Sequence, residues 1–363
     1  MKLLLVLALT AGPTVTAVDG PLDAITRQGA PAAVMAVREG PQTRSAAAGV
    51  ADRRTGRRAK PSDRYRIASI TKSFTAVVVL QLAAEGRVKL SSTIDLWLPG
   101  VPGAHSITVR DLLRHTSGLP DFYPALNLKT SADWQRHRLD RLSDDRKLAL
   151  AFELPADSPG GAKASYANTN YILLGRLIER VTGDSYAAQV SRRLLRPLRL
   201  RDTYYAGGRA RLRGSHLRGY MPRDLPGEPD ADFAHLIDFT EQTINQSGPA
   251  GSMISTVADL TTFYRALFTG RLLPAPLMRE MTSVVPAAGI PMPWVEGIGL
   301  GVHRYNLGCG PVYGHIGGVR GYTGLVVSTP DGRRQAAIAV TLNPNPATVV
   351  PAALKAVTAA ICS

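Results

Sequence analysis

Arg66-Ile67-Ala68-Ser69-Ile70-Thr71-Lys72-Ser73-Phe74 runs straight into Ala76-Val77-Val78-Val79-Leu80, continues through Leu82-Ala83-Ala84 and stops at Gly86. Apolar residues at helical spacing, with glycine just past the last of them, predict one buried helix with Ser69 at its first turn. Residues three apart on a helix share a face, which sets Lys72 beside Ser69. A serine hydroxyl becomes a nucleophile when a neighbour takes its proton, and a lysine can do so only while neutral. Burial disfavours an ammonium, so the head of an apolar helix suits such a base. The helix N-terminus favours negative charge, so the Ser69 N–H is placed to hold an oxyanion. The plainer alternative is an N-cap serine and a solvated lysine. This is, however, the only Ser-x-x-Lys in the chain.

Working outward from that helix, Ala32–Val37 and the stretch around Ala47-Ala48-Gly49-Val50 read as two strands joined by a turn at Gly40-Pro41. Beyond it, Thr108 caps Val109–Leu113, which leads into His115-Thr116-Ser117-Gly118-Leu119-Pro120. Asn170–Ile178 reads as an apolar helix ending near Gly183, and another runs through Ala187 to Leu195. Thr256 caps a helix over Asp259–Phe268. Ile298–Tyr305, Tyr322–Ser328 and Ala336–Leu342 read as strands, the last two joined by Pro330-Asp331-Gly332, and Pro351–Ile361 as a closing helix. Strands at both ends with helices between them predict an α+β fold. Its antiparallel sheet is flanked by helices and carries an inserted all-helical domain. The α/β part covers about 18–85 and 236–363, and the helical part about 86–235.

Two further motifs occur once each. Tyr166-Ala167-Asn168 follows the turn Pro159-Gly160-Gly161 and precedes a helix. A tyrosine hydroxyl there can relay a proton, and an asparagine amide can bind an amide carbonyl; a packing Tyr and a capping Asn are the bland alternative. His315-Ile316-Gly317 lies in a glycine-rich stretch opening a strand, where a substrate backbone can approach closely and a backbone N–H can serve as an oxyanion donor. Here the alternative is a glycine-rich turn with an incidental His.

At 363 residues the chain can bury a large core. Lys2, the apolar run Leu3–Leu9 and the small residues Val15-Thr16-Ala17 predict a secretory signal over 1–17, hence an exported protein. No run is long enough to span a bilayer. The net charge of +15, mostly arginine, favours anionic surroundings, but no basic-aromatic cluster points to nucleic acid. In an exported chain the two cysteines, Cys309 and Cys362, suggest a disulfide, with two unrelated thiols as the alternative; without a histidine cluster they make no zinc site.

Three single-occurrence motifs in this order resemble the serine β-lactamase-like superfamily of class C β-lactamases, D-alanyl-D-alanine carboxypeptidases and related esterases, most of all its exocellular carboxypeptidase/transpeptidase type. Ile70–Phe74, His115–Leu119, Asn168-Thr169-Asn170 and the cysteine pair carry the likeness too. The resemblance implies a β-lactamase/transpeptidase-like fold and an acyl-enzyme on Ser69, with Lys72 as base and Tyr166 passing the proton to the leaving group. By the same resemblance Asn168 binds the substrate amide, Ser69 and Gly318 supply the oxyanion N–H groups, and His315 is a hydrogen-bonding or electrostatic helper. His115 fixes its loop. The implied activity is that of a D-alanyl-D-alanine carboxypeptidase-like acyl hydrolase, with a class C-type β-lactamase as the alternative. The implied substrate is a peptidoglycan stem peptide or small acyl compound, with β-lactams as inhibitors and no cofactor, metal, nucleic acid or membrane anchor; the implied state is a monomer. Two departures bear on the substrate. Ile316 stands where carboxypeptidases often have Thr, and His303 lies near the position of an Arg, both of which help hold a substrate carboxylate. Arg320, just beyond Gly317, is the candidate replacement, since a guanidinium grips a carboxylate bidentately. Without a replacement, the pattern favours an esterase or a D-amino-acid amide hydrolase.

Overall fold

The computed structural model describes residues 19–156, 164–225, 233–243, 247–287 and 292–362. The predicted signal over 1–17 and the turn at 159–161 lie outside them. Chain order opens with α1 (Asp19–Arg27), β1 (Ala32–Glu39), β2 (Gln42–Asp52), β3 (Arg57–Arg58) and β4 (Tyr65–Arg66). One 3-10 turn, Ala68–Ile70, leads into α2 (Thr71–Ala84). Then come α3 (Val109–Arg114), α4 (Ser131–His137), α5 (Asp144–Phe152), α6 (Asn168–Thr182) and α7 (Tyr186–Val190), the last continued by a wider turn over Ser191–Leu195. Short strands β5 (Tyr204–Tyr205), β6 (Tyr220–Pro222), β7 (Leu236–Asp238) and β8 (Met253–Ser255) precede α8 (Val257–Phe268) and α9 (Ala275–Thr282). The chain closes with β9 (Val285–Pro286), β10 (Val295–Ile298), β11 (His303–Asn306), β12 (Pro311–Val319), β13 (Tyr322–Ser328), β14 (Arg334–Val340) and α10 (Val349–Cys362).

The principal sheet has the order β3-β2-β1-β14-β13-β12-β11-β10-β9, so strands from both ends of the chain meet at the β1–β14 pair. Period-two alternation sends successive residues to opposite faces. Val34, Ala36, Val326, Ala337 and Ala339 pack with α2 and α8, whereas Ala33, Met35, Leu325, Val327 and Ile338 pack with α1 and α10. Both faces are covered, which is why β1 reads as a continuous apolar run rather than an alternating one.

Every residue of α2 from Thr71 to Leu80 is buried. Val77-Val78-Val79 opposes helix by a few tenths of a kcal/mol per residue, but each buried valine contributes roughly 1.5 kcal/mol or more, so packing decides. The helix ends before Gly86, whose φ of 71° suits a terminator. Thr108 and Thr256 cap α3 and α8 as expected, and Gly183 closes α6 in the left-handed region.

One expected element divides in two. Ile298–Tyr305 is not a single strand: β10 ends at Ile298, β11 begins at His303, and Gly299–Val302 turns between them. At Gly301, with φ of 78°, a Cβ would sit 2.3 Å from Ala76 Cβ, so this turn is pressed onto α2. Apolar alternation alone does not reveal such a turn.

Cys309 and Cys362 form a disulfide that ties the end of α10 to the turn between β11 and β12. Among the described residues no helix is long and apolar enough to cross a membrane.

Candidate active site

Ser69 sits in the 3-10 turn, partly open, with Ala68 before it at φ 47°. A non-glycine residue in that region stores strain of about 1–3 kcal/mol, typical of a turn held to present a side chain. Lys72, one helical turn on, is fully buried. Its Nζ donates to Ser69 Oγ at 3.1 Å, Asn168 Oδ1 at 2.7 Å and the Ala250 carbonyl at 2.8 Å. Three acceptors use its three N–H bonds. Burial nevertheless dominates and brings the ammonium down from its usual range to about 7, partly opposed by the charge of Asp121. Near neutral pH this lysine is thus both donor and base.

Tyr166 hydrogen-bonds to Ser69, and burial drives its phenol well above its ordinary range. The two shifts run in opposite directions. A lysine that readily loses its proton stands beside a phenol that keeps its own. Lys72 Nζ also lies 4.8 Å from the Tyr166 ring centroid.

His115 organises the loop that carries Tyr166. Its ring stacks on Tyr166 with centroids 4.4 Å apart, its carbonyl accepts from Ser165 N at 2.8 Å, and its Nδ1 accepts from Ala167 N at 3.2 Å. Asn170 Nδ2 lies 3.2 Å from the same Nδ1, and Ser117 Oγ donates to Asn170 Oδ1 at 2.6 Å. Two N–H groups directed at Nδ1 leave the proton of the neutral ring on Nε2. Burial holds His115 far below its usual value.

The second wall is β12. Its pairing with β11 ends at Gly314, leaving the outer edge of His315–Val319 without a strand partner. Counting from the hairpin-closing pair Val319–Tyr322, antiparallel alternation turns the Gly318 N–H toward that free edge. Gly317 lies directly on the nucleophile turn: a Cβ there would stand 2.2 Å from the Ile67 carbonyl oxygen. His315 falls in the middle of β12 rather than at its start, because the strand already begins at Pro311. Its Nδ1 is 2.6 Å from the Ile316 carbonyl, and its ring lies 4.3 Å from that of His303. Burial keeps both imidazoles neutral, His303 falling to about 3 and His315 well below its ordinary value. His303 Nε2 is buried without a hydrogen-bond partner.

Sequence reasoning missed Asp121. Asn168 bridges it to the lysine: Nδ2 donates to Asp121 Oδ2 at 2.9 Å while Oδ1 accepts from Lys72. Asp121 is partly exposed, and desolvation raises its pKa despite these contacts. Its only signal was a position two residues past the His115–Leu119 motif. Tyr123, two residues further on, shares a 3.0 Å hydrogen bond with Ser247.

Arg320 lies at the Tyr123 side of the site, near enough for its charge to act on that phenol. Its guanidinium stacks 4.6 Å from the Trp134 ring centroid. Among the described residues it has no ion pair, and no group of three or more His, Cys, Asp or Glu could hold a metal ion.

The arrangement can pass a proton from a serine hydroxyl to a lysine and from a phenol to a leaving atom, beside two backbone donors. Residues 16–360 match the Beta-lactamase family model. A D-stereospecific amidohydrolase from Streptomyces sp. is similar at 37% identity and TM-score 0.82, over 94% of this chain and 98% of that one. D-amino acid amidase from Ochrobactrum anthropi SV3 is similar at 26% identity and TM-score 0.82, over 94% and 96%. Penicillin-binding protein 4* of Bacillus subtilis is 31% identical over 155 residues, 43% of this chain and only 33% of its own length.

Proposed function

We propose that this chain, which belongs to the Beta-lactamase family and is a serine hydrolase of that fold, cleaves D-aminoacyl amides bearing a free amino group. The observation that carries this reading is the charge arrangement. The wall formed by β11 and β12 offers neutral His303 and His315 and apolar Ile316, none of which grips a carboxylate, while Asp121 supplies a carboxylate suited to a substrate ammonium. The similarity to two amide hydrolases of D configuration supports it.

In the proposed reaction, neutral Lys72 takes the Ser69 proton as Oγ attacks the amide carbon. The N–H groups of Ser69 and Gly318 hold the resulting oxyanion. Tyr166 gives its proton to the departing nitrogen and recovers one from Lys72; ammonia or an amine leaves, and the acyl group stays on Ser69. Water then attacks the ester by the same route in reverse, releasing the D-amino acid. Asn168 keeps Lys72 in register and offers its second N–H to the substrate. The chain acts as an exported enzyme, in keeping with its disulfide, and as a monomer.

A D-Ala-D-Ala carboxypeptidase inhibited by β-lactams is the second reading. It is favoured by the unpaired Arg320 guanidinium and by the similarity to penicillin-binding protein 4*. One set of measurements separates the two. Steady-state turnover is compared for D-alaninamide, L-alaninamide, N-acetyl-D-alaninamide and an N-acylated D-Ala-D-Ala peptide, with mass spectrometry of Ser69 after a fluorescent penicillin. We expect the free D-amide to be cleaved fastest. Preference for the acylated peptide, with a long-lived penicilloyl adduct on Ser69, would overturn the amidase reading in favour of the second.

A further inference from the structure

Outside the Ser69 site, the segment 192–213 holds eight arginines and one acidic residue, Asp202. Several are already engaged. Arg192 pairs with Asp184, Arg193 with Glu85, Arg211 with Glu241, and Asp202 with Arg64. Arg196, Arg199 and Arg201 are exposed and make no ion pair or side-chain hydrogen bond among the described residues. These three line one groove of about 480 Å³, formed where the wider turn after α7 meets β5. No acidic side chain lines it.

We infer that this groove binds a linear phosphodiester polymer that carries no bases. Three arginines lining one concave surface, at positions 196, 199 and 201, match a row of phosphates, since each planar fork can take two oxygens. A nucleic acid fits less well. Binding single strands relies on free aromatic faces for base stacking. Both groove tyrosines are committed: the Arg213 guanidinium lies 5.4 Å from the Tyr204 ring centroid, and the Tyr205 ring meets Tyr186 edge-on at 5.0 Å. The Cys309–Cys362 disulfide also places the chain in an oxidising setting, where a polyol-phosphate polymer of a cell envelope is the relevant source of such a backbone. The groove would hold the enzyme on that polymer while Ser69, carried beyond β8 and β4, stays open to substrate. This inference does not depend on which acyl substrate the enzyme cleaves.

The test is binding of fluorescently labelled poly(glycerol phosphate) to the full chain, measured by anisotropy across a salt series. A single-stranded oligonucleotide of matched charge is the comparator. Three phosphate contacts predict a log–log salt slope of about −2, at roughly 0.7 per contact. The triple variant Arg196→Gln, Arg199→Asn, Arg201→Gln should bind roughly a thousandfold more weakly, about tenfold for each of three charged hydrogen-bond donors lost. Asparagine is chosen at 199 because that residue has φ 54°, which Asn tolerates. Turnover of whichever acyl substrate the wild type cleaves should be unchanged, and an unchanged circular-dichroism spectrum and thermal midpoint certify the fold. A control that removes equal charge from exposed sites elsewhere, Arg27→Gln, Arg54→Gln, Arg58→Gln, should bind nearly as wild type. Absence of binding, an equal loss in the control variant, or tighter binding of the oligonucleotide would each overturn the inference.

Discussion

Lys72 Nζ is closer to Asn168 Oδ1, at 2.7 Å, than to the Ser69 hydroxyl, at 3.1 Å. The lysine is therefore anchored by a residue 96 positions away and only touches the serine it serves. With burial bringing Lys72 to about 7, the neutral base is scarce in acid and plentiful in alkali. The rate of acylation should rise tenfold per pH unit below about 7 and level off above it. Lys72→Arg keeps the charge but cannot become neutral, so it should cost roughly a thousandfold in kcat/KM. A pH profile of kcat/KM on a D-amide checks the first statement, and the variant's turnover the second.

Asp121 acts on the same lysine through Asn168, and its negative charge favours the ammonium. Replacing it by asparagine removes that support, so the acid limb of the profile should move to lower pH. If Asp121 also receives the substrate amine, Asp121→Asn should raise KM for D-alaninamide by roughly tenfold, the worth of one charged hydrogen bond. KM for the N-acetyl compound should stay unchanged. A profile that does not move, with equal KM changes on both substrates, would contradict both roles.

Arg320 was expected from sequence to hold a carboxylate, yet its guanidinium rests on Trp134. Under the amidase reading, Arg320→Ala leaves D-amide turnover unchanged and costs about 1 kcal/mol of stability through the lost cation–π contact. Urea unfolding and steady-state kinetics measure the two effects. A selective rise in KM for D-Ala-D-Ala peptides would instead speak for the carboxypeptidase reading.

The disulfide closes a loop with a sequence separation of 53. In the chain-entropy model that constrains the unfolded state by about 4 kcal/mol. Replacing Cys309 and Cys362 together by serine should lower Tm by several degrees and leave turnover at room temperature intact, because the bridge lies on the α10 side of the sheet, away from Ser69. Differential scanning calorimetry measures the change.

What was legible in the sequence was local. Ser69 and Lys72 are one helical turn apart, and Tyr166 and Asn168 flank one helix start, so spacing alone brought each pair together. Asp121 was not legible as a site residue, and His303 entered only through the family resemblance. Asp121 meets Asn168 across 47 positions, and no local pattern marks it. His303 looked like the interior of a strand, but the turn at Gly299–Val302 sets it at the start of β11, with its ring beside His315. The stack of Arg320 on Trp134 likewise joins a hairpin to a distant helix. Long-range contacts fix the charge of the site, and charge is what separates amide from carboxylate substrates.

Gly317 offers the sharpest test of how β12 seats against Ser69. A Cβ at 317 would lie 2.2 Å from the Ile67 carbonyl oxygen and 3.3 Å from Ile70 Cγ1, so Gly317→Ala must push the strand off the nucleophile turn. A misplacement of about 1 Å between catalytic groups costs on the order of a hundredfold in rate, and the strain costs about 1–3 kcal/mol in stability. At the next residue a Cβ would meet only the Asn343 Nδ2 atom, at 3.3 Å, the tip of a side chain that can shift. Gly318→Ala should therefore keep wild-type stability in a urea titration while Gly317→Ala does not. If both variants unfold with the wild-type midpoint, and Gly317→Ala retains turnover, then the close approach of β12 to the Ser69 turn is not what aligns the site.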